Sequence, residues 1–327
     1  MSVLVTGGAG FIGSHLVDKL VAQGEEVTVI DDLSEGRTVN ISDHLKSRSA
    51  RLVIGSILDR SLLNNLISNV SVVYHLAAIV GVDKAYRESY NMIKTNIEGT
   101  QTVLEVCRQF GVNATLASSS EVYGKNPNIP VSEEDDTVLG RTSIPRWNYA
   151  TSKLANEHLA WSFKDDIPVA LLRYFNCYGP RLHPFGYYSF VISLFIKQAL
   201  KGLPITVHGD GLQTRSFTYI DDTIDATIAA SKISKTDTFN VCMPVQTKIA
   251  DLAVLIKKLT GSKSPIVKQP RPKIFEPFEE TRHRNGTIDK AKKQLGFNPE
   301  IDLETGVNRT IEWLEPRLYE LEKEQAA

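Results

Sequence analysis

The chain is predicted to be an α/β protein built on a doubly wound parallel sheet, with a smaller, discontinuous domain towards its C-terminus. Three observations lead there. Apolar runs of strand length alternate with amphipathic helical stretches through the first half of the chain. Gly7, Gly10 and Gly13 form a GxxGxxG run between the first strand and the first helix, a variant of the dinucleotide-binding glycine fingerprint. Asp31 ends the second strand roughly twenty residues after those glycines, where an acid accepts hydrogen bonds from ribose hydroxyls.

Taken in order, residues 3–6 form the first strand. Gly7 permits the tight turn out of it, and Gly10 lets backbone amides approach a pyrophosphate at the helix N-terminus, where the helix dipole favours negative charge. Gly13 lets the helix, residues 14–22, pack close to the sheet. Residues 26–30 form the second strand. Asp31 and Asp32 repel a 2′-phosphate and the only nearby cation is Arg37, so the expected cofactor is NAD rather than NADP. Further strands are expected at 51–54, 71–75, 114–118 and 169–174, which completes a Rossmann-type order. Helical stretches at 91–110 and 149–163 carry long apolar faces, suited to packing on the sheet or to a dimer interface. After Pro180 prolines, aromatics and turn residues become frequent at 181–188, 202–211 and 263–286. Residues 218–231 and 239–242 are expected to return to the main sheet. Residues 302–323 read as one terminal amphipathic helix whose charged end, 315–324, is a solvated face. The division is therefore 1–176, with returning segments near 217–242, as the cofactor-binding domain, and 177–327 as mainly a substrate domain.

The bulk properties exclude several classes. With 327 residues and 42% hydrophobic content the chain buries a large core. Its formal charge of −1 offers no general attraction for nucleic acid or an anionic membrane. Cys107, Cys177 and Cys242 lie far apart and suggest neither a zinc ribbon nor a disulfide framework, and the histidines form no metal-ligand grouping. Met1 leads directly into the first strand and no apolar run reaches transmembrane length, so a cytoplasmic protein is expected.

The chemistry-bearing residues lie near the sheet's carboxyl edge. Tyr149 and Lys153, in the run YATSK, stand one helical turn apart on one face. A phenol beside an ammonium suits proton transfer at an alcohol, because the neighbouring charge favours the phenolate. The segment SSSEVYG, residues 118–124, follows a strand and places small hydroxyls where ligands of open α/β folds bind.

With these motifs the chain resembles the extended short-chain dehydrogenase/reductases, specifically the nucleotide-sugar epimerases, dehydratases and decarboxylases. The likeness runs nearly end to end through TGGAGFIG (6–13), Asp31, HLAA (75–78), SSSEVYG, YATSK, RYFNCYGPR (173–181) and GDGLQTR (209–215). The resemblance implies that Ser119, Tyr149 and Lys153 oxidise a sugar 4-hydroxyl. Tyr149 takes the proton, Ser119 orients the hydroxyl, and Lys153 binds the nicotinamide ribose. It implies cofactor contacts at Gly7, Gly10, Phe11, Ile12, Gly13, Asp31, Asp32 and Ala77. It also implies substrate contacts at Ser120, Asn176 and Arg215, and a homodimer formed through the two long helices. His75 reads as a core or strand-end histidine rather than a catalyst.

The transient 4-ketone acidifies the C5 hydrogen and, in a uronic acid, creates a β-keto acid that loses carbon dioxide. Epimerases of this superfamily usually carry small residues after the triad hydroxyl, whereas here Ser120 and Glu121 follow Ser119. Glu121 therefore resembles the carboxylate of dehydratases and uronate decarboxylases and is placed to handle a proton at C5. PRWNY (145–149) resembles the RWxY approach to the tyrosine of UDP-glucuronate decarboxylases of the aminoarabinose pathway and apiose synthases. HRNGTI (283–288) resembles their late HRxPxI segment, with Gly286 in place of the proline. That likeness puts Arg284 near a C6 carboxylate, and Arg282 is an equal candidate for the phosphates. The reading is an NAD-dependent enzyme of nucleotide sugars that decarboxylates or 4,6-dehydrates. A simple 4-epimerase is the alternative, and a non-catalytic nucleotide-binding scaffold is a remote one. The aromatic run 185–188 suits a base contact or a loop.

Overall fold

The computed structural model describes residues 1–184 and 190–326, so the aromatic run 185–188 lies outside the described residues. The first half contains β1 (Ser2–Thr6), α1 (Phe11–Ala22), β2 (Glu26–Asp31), α2 (Ser42–Ser47), β3 (Ala50–Ile54), α3 (Arg60–Ile67) and β4 (Val72–His75). It continues through α4 (Val82–Arg87), α5 (Ser89–Phe110), β5 (Asn113–Ser119), α6 (Trp147–Ser162) and β6 (Val169–Tyr174). The second half contains β7 (Cys177–Tyr178), α7 (Val191–Leu200), β8 (Ile205–His208), β9 (Thr214–Arg215), β10 (Thr218–Tyr219), α8 (Ile220–Ala230) and β11 (Asp237–Val241). Then come β12 (Thr247–Lys248), α9 (Ile249–Leu259), β13 (Ile266–Gln269), β14 (His283–Arg284), α10 (Asp289–Leu295), α11 (Leu303–Leu314) and α12 (Leu318–Ala326).

The main sheet has seven strands in the order β3-β2-β1-β4-β5-β6-β11, every pair parallel. Both faces are covered, as a parallel sheet requires. On one face Val3, Val5, Val27 and Val29 meet Leu16, Val17 and Leu20 of α1. On the other, Leu4, Ile30 and Val73 meet Leu63 of α3 and Val103 and Leu104 of α5. The strand order reverses between β1 and β4, so their carboxyl ends open the crevice where this architecture binds ligands.

The expected strands form within one residue at each end. The first helix begins earlier than expected, at Phe11, because Gly10 is its N-cap and accepts from the Ser14 amide at 3.0 Å. Two expectations are corrected. Thr218–Tyr219 does not join the main sheet: it pairs with Cys177–Tyr178, and the edge of β6 is taken by β11. The terminal helix is also not continuous. Pro316 lacks an amide hydrogen, and the chain passes through a 3-10 turn at Glu315–Arg317 between α11 and α12. Its charged end is largely solvated, as expected, and forms surface ion pairs from Glu322 to Lys201 and from Glu324 to Arg37. Among the described residues no helix is long and apolar enough to cross a membrane.

In the second half, β9 holds β12 antiparallel on one side and β14 parallel on the other, so Arg284 falls in register with Arg215. That small sheet brings two arginines from distant sequence beside the end of β5.

Candidate active site

The turn after β1 has the shape its glycines require. Gly7 has φ +70°, its amide donates to the Ile30 carbonyl at 2.8 Å, and an added Cβ would lie 2.8 Å from the Ala77 amide nitrogen. At Gly13 an added Cβ would lie 2.1 Å from the Gly7 carbonyl oxygen, so α1 can approach β1 this closely only with glycine there. Gly10 caps α1 without a side-chain hydrogen bond. Phe11 stacks edge-on against His15, and Ile12 packs partly buried beneath the turn.

Asp31 is buried at the end of β2 and accepts from the amides of Ala9 at 3.0 Å and Leu33 at 2.9 Å. Burial raises its pKa while the two amides pull the other way. Each carboxylate oxygen keeps a second lone pair for a ribose hydroxyl. Asp32 is exposed and accepts from the amide and hydroxyl of Ser34. A glycine-walled turn, a helix start free of a side-chain cap and an acid at the strand end together fit a dinucleotide.

β5 and α6 deliver the second group. Ser119 ends β5 and its hydroxyl accepts from the Glu121 amide at 3.2 Å. Tyr149 and Lys153 share a face of α6, with the ammonium 5.9 Å from the phenol ring centre. Lys153 is 3% exposed and donates to the Ala117 carbonyl at 2.7 Å. Burial lowers its pKa to about 8, against the opposing charge of Glu157. Burial also raises the Tyr149 phenol, its hydrogen bond with Ser119 acts in the opposite direction, and the charge of Glu121 adds to the rise. The arrangement can hold an alcohol between a hydroxyl and a phenol.

Beside this group lies a cluster of charge. Arg146 donates to Glu121 Oε2 at 3.3 Å, and Arg284 donates to Oε1 of the same carboxylate. Both guanidinium groups also donate to the Thr281 hydroxyl, at 3.2 and 3.1 Å, and Thr281 donates to the Gly124 carbonyl. Burial alone would raise the Glu121 carboxyl, but Arg284 and Arg146 outweigh it and hold the pKa down to about 2. Its side chain is 28% exposed, whereas those of Arg146 and Arg284 are 5% and 3%. Ser120 is buried next to it.

The remaining expected residues are spread around this cluster. Arg215 donates to Glu280 at 2.8 Å and to the Thr214 carbonyl. Asn176 has φ +35° and donates to the Ser216 carbonyl at 2.8 Å. Arg282 is half exposed and paired with Asp210 at 2.6 Å, and the structure does not bring it to Glu121. Gly286 fits where a larger residue does not, since an added Cβ would meet the Phe175 ring at 2.7 Å. His75 is buried between Thr6 and Thr100, as a core histidine. Sequence reasoning missed Arg146 and Thr281. Arg146 lay within the PRWNY segment, three residues before Tyr149, whereas Thr281 carried no local signal.

Residues 3–242 match the NAD dependent epimerase/dehydratase family. The UDP-N-acetyl-alpha-D-glucosaminuronate decarboxylase of Bacillus cytotoxicus is 40% identical over 314 residues, covering 95% of this chain and 96% of that protein. UDP-glucuronic acid decarboxylase 1 of Xenopus tropicalis is 34% identical, covering 97% of this chain and 72% of its own length. Among solved structures, a UDP-glucose 4-epimerase from Thermotoga maritima with UDP-glucose superposes with a TM-score of 0.89 at 32% identity, over 97% of this chain and all of that one. A UDP-glucuronic acid 4-epimerase from Bacillus cereus, in complex with UDP-glucuronic acid and NAD, gives 0.86 at 31% identity, over 97% and 99%. The glycine turn, the Ser119–Tyr149–Lys153 group and these likenesses converge: the chain is an enzyme of the NAD dependent epimerase/dehydratase family.

Proposed function

We propose that this enzyme decarboxylates a UDP-linked uronate through a transient 4-ketone, with NAD as its resident cofactor. The carrying observation is Glu121, held ionised against Arg284 and hydrogen-bonded through its backbone to the hydroxyl of Ser119. Decarboxylases acting on UDP-uronates, at 40% and 34% identity over nearly the whole chain, support the same reading. Gly7, Gly10, Phe11, Ile12, Gly13, Asp31, Asp32 and Ala77 would hold NAD, which supplies the hydride acceptor at C4. Tyr149 removes the 4-hydroxyl proton, Ser119 orients that hydroxyl, and Lys153 offers its ammonium to the nicotinamide ribose. The resulting β-keto acid loses carbon dioxide as the C5–C6 bond breaks, leaving its electron pair in the enolate of the ketone. Glu121 lies beside C5 to handle the proton that carbon then gains, and return of the hydride to C4 with the proton held by Tyr149 would restore the alcohol and NAD. Arg284 meets the C6 carboxylate, while Asn176, Arg215 and Arg282 serve the diphosphate and Ser120 lines the sugar pocket.

A 4-epimerase would use the same Ser119, Tyr149 and Lys153, and the solved 4-epimerases support that alternative through their shape. Glu121 separates the two readings. Mass spectrometry and proton NMR of products from UDP-glucuronate, UDP-N-acetylglucosaminuronate and UDP-glucose test it. Loss of carbon dioxide from a uronate is expected, with formation of the protonated pentose product reduced sharply in Glu121→Gln, whose amide cannot relay the C5 proton. An unchanged mass with an inverted C4 signal would make the enzyme an epimerase, and loss of water would make it a dehydratase. We also propose a homodimer through α5 and α6, supported by the exposure of Tyr90 and Ile93 on α5. Light scattering at the mass of one chain would reject it.

A further inference from the structure

We propose that Arg146 and Arg284 together form the receptor for the substrate's C6 carboxylate, and that Glu121 is the internal anion whose contacts this carboxylate takes over. The inference rests on the uronate reading above. It assigns to Arg146 a role in specificity, and to Glu121 a state that changes when the correct sugar binds.

Four observations carry it. Two guanidinium groups, 5% and 3% exposed, converge on one carboxylate, so the cluster buries more positive than negative charge. Arg215 adds to that excess, because its field reaches both Arg284 and Glu121 while it shares its counter-ion, Glu280, with Arg271. Among the described residues the buried Nε–H groups of Arg146 and Arg284 have no hydrogen-bond partner. A guanidinium presents five donors in a planar fork, so both arginines keep donor capacity for a second carboxylate. The Arg146 guanidinium is also fixed in place, 5.1 Å from the Trp147 ring centre and 4.8 Å from that of Phe278. Glu121 is the open member of the cluster, with 28% of its side chain accessible. The incoming group can therefore replace it without dismantling the arginines.

Position supports the same assignment. Arg146 precedes Tyr149 by three residues and Glu121 follows Ser119 by two. A sugar whose 4-hydroxyl lies between Ser119 and Tyr149 carries its C6 only two bonds from C4. A uronate places an anion there, whereas a hexose places a neutral hydroxymethyl that cannot accept from both forks. The exchange also has a chemical consequence. Once the substrate carboxylate draws the guanidinium groups away, the Glu121 carboxyl rises towards its ordinary range, takes up a proton from solvent and can pass it to C5, so proton handling there is switched on by a uronate and not by a hexose.

The test is calorimetric binding to the NAD-loaded protein in a Tyr149→Phe background, which leaves the sugar unreacted, with UDP-glucuronate, UDP-glucose and UDP as probes. The parent protein is expected to bind UDP-glucuronate more tightly than UDP-glucose. Arg146→Gln should weaken UDP-glucuronate by about tenfold or more, leaving UDP-glucose and UDP unchanged, and Arg146→Lys should recover part of the loss. Glu121→Gln neutralises the internal competitor and should tighten UDP-glucuronate alone. A purely structural role for Arg146 would weaken all three probes together, which would overturn the proposal. So would a uronate preference that survives in Arg146→Gln, or weaker uronate binding in Glu121→Gln. If Arg146→Gln does not fold, Glu121→Gln decides. A parent protein with no preference for the uronate would instead sink the decarboxylase reading itself.

Discussion

His75 shows how a single buried residue sets a property of the folded protein. Its Nδ1 lies 2.7 Å from the Thr6 hydroxyl and its Nε2 2.9 Å from that of Thr100. Burial, with the charge of Lys153 in the same direction, lowers its pKa from 6.5 to about 3. Between those values the unfolded chain binds a proton that the folded protein excludes, so stability falls as pH drops through 6.5 towards 3. The slope contributed by this residue is about 1.4 kcal/mol per pH unit once well below 6.5. Glu121 works in a lower window: its depressed carboxyl contributes stability above 4.5 that is lost towards 2. Denaturant unfolding of the parent protein and of His75→Gln between pH 7 and pH 4.5 should therefore show the variant with the shallower acid decline. Equal slopes would mean that His75 is protonated in the folded state. The core position of His75 was legible because it ends an apolar strand. Arg146 was not, because its meaning depends on Glu121, 25 residues away, and on the strand that carries Arg284, 163 residues from Glu121.

Helix α6 places Tyr149, Lys153 and Glu157 at successive four-residue steps, so one face carries the phenol, the ammonium and a buried carboxylate. Glu157 pairs with Arg173 of β6 at 2.7 Å and accepts from the Ser118 hydroxyl of β5, with both charged side chains at least nine-tenths buried. This links the helix to the two strands that flank the reacting group. Removing the carboxylate leaves Arg173 buried without its counter-ion, a change that costs about 3–5 kcal/mol. It also removes the charge that opposes the lowering of the Lys153 pKa. Glu157→Gln should therefore be destabilised by about 3 kcal/mol or more and should lose activity at a lower pH on the alkaline side. Chemical denaturation and a pH–rate profile read the two effects, and an unmoved alkaline limb would limit Glu157 to a structural role. The Tyr149–Lys153 pair was legible because helical spacing is local. The pairing of β14 with β9 was not, since two-residue strands carry no periodic signal and their register is set by distant packing.

At the scale of the molecule, the alternation of apolar strands and helices was legible because the central strands β1, β4, β5 and β6 are buried on both faces and read as continuous apolar runs. The break at Pro316 was present in the sequence but was overridden by the amphipathic pattern on either side. Its consequence reaches the glycine turn, because Glu324 in the last turn of α12 is paired to Arg37. Arg37 donates its amide to the Ala9 carbonyl, and the Ala9 amide in turn donates to Asp31, so Arg37 belongs to the same turn as the acid proposed to hold the ribose. A free arginine there would attract a 2′-phosphate, and Glu324 neutralises it from the far end of the chain. Glu324 is 53% exposed, so solvent screens the pair and the effect is modest. In Glu324→Ala the affinity for NADP should rise relative to NAD by about threefold, with NAD binding itself unchanged, as read by fluorescence titration of the two dinucleotides. An unchanged ratio would mean that Asp31 and Asp32 alone exclude the 2′-phosphate, leaving α12 a purely structural contact.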